Sequence, residues 1–166
     1  MKKLILVLSC VIFGGAVVAQ TDSIQAPYIR YPFFPPVKLL LPDSVSYFTK
    51  ADLPKKTASL LMLFNPQCEH CQHETEQLIK NIGQFKKIQI VMTTSMPFDS
   101  MLAFREKYQL AQYKNIIVAQ DTHYFLFSYF LNRNLPFMAF YDRKKDLISV
   151  SEGGLPIDKV LKEFEK

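Results

Sequence analysis

Cysteine is scarce in this chain of 166 residues, with three in all, at positions 10, 68 and 71. A disulfide-stapled scaffold needs more bridges, and one short-loop bridge closes little chain entropy. Structural zinc needs four ligands, and there is no second cysteine pair to complete a set; His70, His73 and His123 are the other candidate ligands. No metal site is therefore expected. Tryptophan is absent. The net charge of +5 is mild, and Lys55-Lys56, Lys86-Lys87 and Arg143-Lys144-Lys145 are separated in sequence. A nucleic-acid footprint would be clustered and strongly basic, so no nucleic-acid partner is expected. The apolar run Leu4 to Val18 is too short to span a bilayer comfortably. There is no internal repeat and no low-complexity segment.

That run follows Lys2 and Lys3 and ends in Val17-Val18-Ala19 before Gln20. A basic start, an apolar core and small residues before a cut describe a secretory signal peptide over residues 1–19. An exported, periplasmic protein is expected. The alternative is a lipoprotein facing the periplasm, with Val7-Leu8-Ser9-Cys10 as a lipobox. That would leave only Leu4 to Ser9 as an apolar core, below the usual length of about 7–15 residues. Membrane association is expected only if Cys10 is lipidated. Cleavage after Ala19 leaves 147 residues, about one domain, and removing Lys2 and Lys3 lowers the charge from +5 to +3. Cys68 and Cys71 would then be the only cysteines, and redox chemistry is the better explanation of such a pair.

Residues 20–36 hold Pro27, Tyr28, Tyr31, Pro32, Phe33, Phe34, Pro35 and Pro36, and read as an irregular, proline- and aromatic-rich arm, ordered where its aromatics find apolar surface; packing on its own domain and a mobile linker are equally open, with a partner-binding segment as the lesser alternative. The domain follows, over 37–166. Strand patterns cover Val37 to Leu41, Ser59 to Phe64, Ile88 to Thr94, Ile116 to Ala119, Phe137 to Tyr141 and Leu147 to Val150. Val45 to Leu53 is ambiguous, a strand and then a turn. Helical spacing covers Glu69 to Ile82, with Gly83 as its stop, then Phe98 to Tyr108, Tyr124 to Phe130 and Pro156 to Phe164. This order indicates an α/β sandwich around a mixed sheet, its early parallel strands joined by a right-handed crossover. The cysteine pair falls at the carboxyl end of a central strand, where α/β sheets commonly place their sites.

Cys68 lies at the start of the helix and Cys71 one turn in. Unpaired N–H groups and the helix dipole favour an anion at that start, and the thiolate is the nucleophile in disulfide exchange. Cys68 is thus the expected attacking thiol and Cys71 the resolving one. Between them, a protonated His70 would stabilise a thiolate and Glu69 would oppose it, so both are candidate tuners of the redox potential. Glu74 lies one turn beyond Cys71 and is placed to carry a proton to or from it, or else to complement the dipole. Tyr124, Phe125, Phe127, Tyr129, Phe130 and Phe137 read mainly as core; a partner groove near Pro136 is the alternative.

A strand, then Cys68-Glu69-His70-Cys71 opening a helix, then Leu135-Pro136 before a β-hairpin resembles the thioredoxin superfamily, and within it the exported thiol–disulfide oxidoreductases of the TlpA/ResA type, the redoxins. The resemblance spans about Val37 to Lys166. It implies a thioredoxin-like sandwich, a central mixed β-sheet flanked by helices. It implies that Cys68 attacks and Cys71 resolves, that Pro136 is cis beside the dithiol, and that the backbone of Leu135 pairs with bound substrate. Glu69 and Glu74 match places where some relatives carry acids. The departures are Gln67 in place of a tryptophan, Met62 in place of thioredoxin's buried aspartate, and Leu135 in place of the usual threonine or valine. Losing that aspartate shifts the proton relay onto Glu74.

The expected function is a disulfide reductase acting on a protein disulfide substrate and recharged by an upstream thiol electron donor, with no cofactor. The alternatives are an oxidase or isomerase of the same fold, and a copper chaperone using Cys68, Cys71 and a histidine such as His123. No Thr stands two or three residues before Cys68 to orient peroxide, which weighs against a peroxidase.

Overall fold

The computed structural model describes residues 25–166. The expected leader, its cut site and Cys10 lie outside the described residues. The strands are β1 (Lys38–Leu40), β2 (Tyr47–Thr49), β3 (Ala58–Leu63), β4 (Ile88–Thr94), β5 (Ile116–Gln120), β6 (Phe137–Tyr141) and β7 (Leu147–Glu152). They form one sheet in the order β2-β1-β5-β4-β3-β6-β7. The helices are α1 (Pro27–Arg30), α2 (Glu69–Lys80), α3 (Phe98–Lys107), α4 (Phe125–Phe130) and α5 (Ile157–Glu163).

Strands β3, β4 and β5 run parallel, in the register Leu63↔Thr93 and Thr94↔Gln120. Strand β6 returns antiparallel to β3 with Leu63 opposite Phe137, and β7 completes the hairpin. The chain enters β6 at the point where β3 leaves the sheet, so Leu135-Pro136 must lie beside the start of α2. The apolar runs of β3 and β4 reflect a sheet covered on both faces. On one face Leu60, Met62, Ile90 and Phe140 pack under Leu78, Phe104 and Val160 of the long helices. On the other, Leu61, Leu63, Val91 and Tyr141 pack with Phe34, Leu126 and Phe130.

Three local readings change. The ambiguous segment resolves into β2 and a 3-10 turn over Lys50–Asp52, closed by Asp52 accepting hydrogen bonds from the N–H and hydroxyl of Thr49. Helix α2 ends at Lys80, capped by Asn81, and Gly83 sits inside a following 3-10 turn rather than stopping the helix. The arm is not wholly irregular: Pro27 opens the short helix α1, where a missing N–H costs nothing. Its aromatics pack on the domain, Tyr28 against Phe130 at 5.5 Å and Phe34 against Tyr141 at 4.9 Å between ring centroids. Main-chain bonds reinforce this: the Phe34 N–H donates to the Lys145 carbonyl at 2.8 Å, and the Tyr129 hydroxyl donates to the Tyr31 carbonyl at 2.8 Å.

Candidate active site: a dithiol facing a cis-proline loop

The chain leaves β3 through a turn set by Asn65. Its side-chain oxygen accepts the Gln67 N–H at 2.9 Å and its carbonyl accepts the Cys68 N–H at 3.0 Å. Gln72 reaches back to donate to the Pro66 carbonyl at 2.8 Å. These bonds seat Cys68 as the N-cap of α2 in extended conformation, with its Sγ accepting the Cys71 N–H at 3.4 Å. The sulfur takes the place that a serine or aspartate oxygen holds at ordinary helix starts.

Both thiols are free, Cys68 half-buried and Cys71 fully buried. Burial pushes the Cys71 thiol well up from its ordinary value, with the neighbouring Cys68 sulfur acting in the same direction and the Asn65 main chain opposing it. The Thr75 hydroxyl donates to the Cys71 carbonyl at 2.8 Å and fixes that turn.

Across from the dithiol, Leu135-Pro136 is cis. The Cys68 Sγ points to the Leu135 carbonyl at 3.8 Å. The loop ahead of it is anchored from β7: Glu152 accepts the N–H groups of Arg133 at 3.2 Å and Asn134 at 3.0 Å. The Gly153 N–H donates to the Pro136 carbonyl at 2.9 Å.

Glu74 is 2 % exposed. One carboxylate oxygen accepts the Leu155 N–H at 3.0 Å, and the other is buried without a partner. Burial raises its pKa, against the smaller opposing effects of the Leu155 N–H and His73. It borders a cleft with His73, Gly154 and Pro156. Glu69 and His70 both lie exposed, and neither side chain makes a hydrogen bond among the described residues. The structure therefore brings together Cys68, Cys71, Leu135 and Pro136, buries Glu74 on the same helix about one turn beyond Cys71, and leaves Glu69 and His70 in water. His123 sits beyond β5, its Nδ1 2.9 Å from the Thr122 hydroxyl. Among the described residues no group of three or more His, Cys, Asp or Glu side chains is arranged to hold a metal ion. The third ligand that the copper reading requires is not gathered there.

The aromatic cluster divides. Tyr129, Phe130 and Phe137 are core, while Tyr124 and Phe127 are exposed beside Leu135. Sequence reasoning missed Asp121, Glu152 and Asn65. Asp121 is buried and accepts the Leu126 N–H at 2.8 Å and the His123 N–H at 3.3 Å, holding the start of α4. An acid four residues before an apolar helix is a faint signal; Glu152, acting from another strand, leaves none.

A parallel βαβ unit joined to a β-hairpin and helix, with a dithiol at the first helix start facing a cis-proline, defines a thioredoxin-like fold. No protein-family model matches the chain, and no curated protein matches it. Solved structures do. The MTB protein dsbF, determined in mixed oxidised and reduced forms, aligns with TM-score 0.65 at 19% identity, covering 77% of this chain and 92% of that one. A secreted Mycobacterium tuberculosis disulfide oxidoreductase, described as homologous to E. coli DsbE, aligns with TM-score 0.63 at 16% identity over 77% and 93% of the two chains. The exposed lipoprotein thioredoxin Etrx1 of Streptococcus pneumoniae aligns with TM-score 0.56 at 23% identity over 77% and 98%. At these identities the likeness establishes the fold.

Proposed function

We propose that this protein is an exported thiol–disulfide oxidoreductase that reduces a protein disulfide through Cys68 and Cys71. One observation carries the reading: a half-exposed sulfur caps a helix and faces the carbonyl before a cis-proline, while its partner thiol is buried one turn on. Cys68 thiolate attacks one sulfur of the partner disulfide; that bond breaks and the other partner sulfur leaves and takes a proton. Cys71 then gives up its proton and attacks the Cys68 sulfur, which releases the second partner thiol. Two electrons and two protons pass to the partner, and an upstream thiol donor restores the dithiol. Leu135 supports this as the backbone that pairs with the partner at Pro136. Glu74 supports it as the acid one turn below Cys71, the proton carrier for a thiol that burial keeps protonated.

Reduction rather than oxidation is favoured because His70 points to water and makes no bond to either sulfur. A strong oxidant needs its reduced form specially stabilised. Export is supported by the leader pattern of residues 1–19 and by neighbours described as secreted or as an exposed lipoprotein.

Two measurements test this. Cys71→Ser should trap covalent partner complexes through Cys68 that dithiothreitol releases; their absence from the native compartment counts against thiol exchange. Equilibration with glutathione should give a potential near that of thioredoxin, about −270 mV. A value near about −120 mV would reassign the protein as an oxidase.

A further inference from the structure

A pocket of about 160 Å³ opens beside the dithiol, on the α4 side of the sheet. Its wall includes Asn65 and Leu135, the two residues whose carbonyls meet Cys68. Leu63, Phe64 and Leu126 make it apolar, and the exposed Tyr124 and Phe127 form its rim. Its lining is not wholly apolar. Thr93 is 1 % exposed and Asn132 7 % exposed, and Thr93 Oγ1 and Asn132 Oδ1 are buried there without a hydrogen-bond partner. Three of the other polar residues of the pocket are engaged. Asp121 is held by Leu126 and His123, the Thr94 hydroxyl accepts the Met96 N–H at 3.2 Å, and Asn65 accepts the Gln67 N–H.

Leaving a buried polar group unpaired is unfavourable, so a pocket with two such groups suits a ligand that pairs them. Asn132 Oδ1 asks for a donor, and the Thr93 hydroxyl can give a proton or take one. A hydroxyl satisfies both; a carboxylate cannot donate to Asn132, and an ammonium would lose its hydration against Leu63, Phe64 and Leu126. For size, a cavity of about 150 Å³ holds a benzene ring. Consecutive residues of an extended chain lie about 3.3–3.6 Å apart, so a residue flanking a cysteine on Cys68 passes the Leu135 wall.

We propose that this pocket receives a tyrosine side chain flanking the reacting cysteine of the partner polypeptide, its phenol hydroxyl paired with Asn132 and Thr93. The proposal rests on the thiol-exchange reading and names its substrate class. The ring fills the apolar wall between Phe64 and Leu126, and the hydroxyl reaches the two inner groups. Phenylalanine fills the same space and leaves both unpaired, so the site discriminates by the hydroxyl.

Two experiments test it. The first compares exchange rates of the reduced protein with glutathione-capped peptides carrying Tyr, Phe or Ala on either side of one cysteine. A Tyr peptide should react about tenfold faster than its Phe counterpart, and a Thr93→Val/Asn132→Leu variant should bring that ratio to about one. Equal Tyr and Phe rates in the unaltered protein overturn the proposal; failure of every peptide, Ala included, overturns the thiol-exchange reading instead. The second needs no exchange: p-cresol is titrated into Cys68→Ser/Cys71→Ser protein and followed by NMR. The Asn132 side-chain amide should shift, with toluene binding about tenfold more weakly. No shift, or equal binding of toluene, overturns the pocket assignment whatever the thiols do.

Discussion

At the scale of single residues, the two ends of the first turn of α2 do opposite things. Cys68 uses its sulfur as a cap and stays within reach of solvent. Cys71 is covered, and burial raises its pKa, which holds it in the protonated thiol form. Glu74 lies one turn further in the same helix and has one oxygen unpaired. Its folded pKa is raised, so the native state binds a proton more readily than the unfolded chain. That contribution to stability is fully present below the ordinary carboxylate range and is lost as pH rises through the folded value. Glu74→Gln should therefore raise the melting temperature at pH 8 by about 2–4 °C and leave it nearly unchanged at pH 4. Thermal unfolding of both proteins across that range checks it; an equal shift at both ends would show that the carboxylate is not the cause.

At the scale of elements, the site depends on loops held by distant carboxylates. Glu152 of β7 gathers the Arg133 and Asn134 amides just before the cis-proline. Glu152→Ala should raise the hydrogen-exchange rates of those two amides by about tenfold and cost about 1–2 kcal/mol of stability. Protection that survives the substitution would mean that the loop is held by its own packing. Most elements could be read from sequence because their cues are short-range. The apolar runs of β3 and β4, Pro97 before α3 and the turn between β6 and β7 are such cues. The end of α2 was misplaced because Gly83 invited a stop that Asn81 had already made. The orientation of Glu69 and His70, the roles of Asp121 and Glu152, and the placing of Thr93 and Asn132 in the wall of one pocket were not legible. Each depends on which elements the sheet brings side by side.

At the scale of the whole molecule, the sheet separates two cores, and the arm belongs to one of them. Phe34 is fully buried against Tyr141, and its N–H is bonded to the turn between β6 and β7. The same core carries Leu126 and Phe130, and through them the α4 wall beside the dithiol. Phe34→Ala should cost about 3–5 kcal/mol, read as a shift of the urea midpoint with little change in slope. A loss below about 1 kcal/mol would mean that the arm contributes little to the domain.

What the sequence determined by itself is the spacing of the thiols: two residues between them at a helix start put one at the cap and the other a turn inside, since local helical geometry follows from the chain alone. The same spacing leaves the outer sulfur within reach of solvent and covers the inner one, as observed; what would face the outer sulfur was decided only in three dimensions. The Leu135 carbonyl meets Cys68 from 67 residues away because β6 lies antiparallel to β3. Strand register is a property of the closed sheet and its two packed faces, so no stretch of sequence carries it alone.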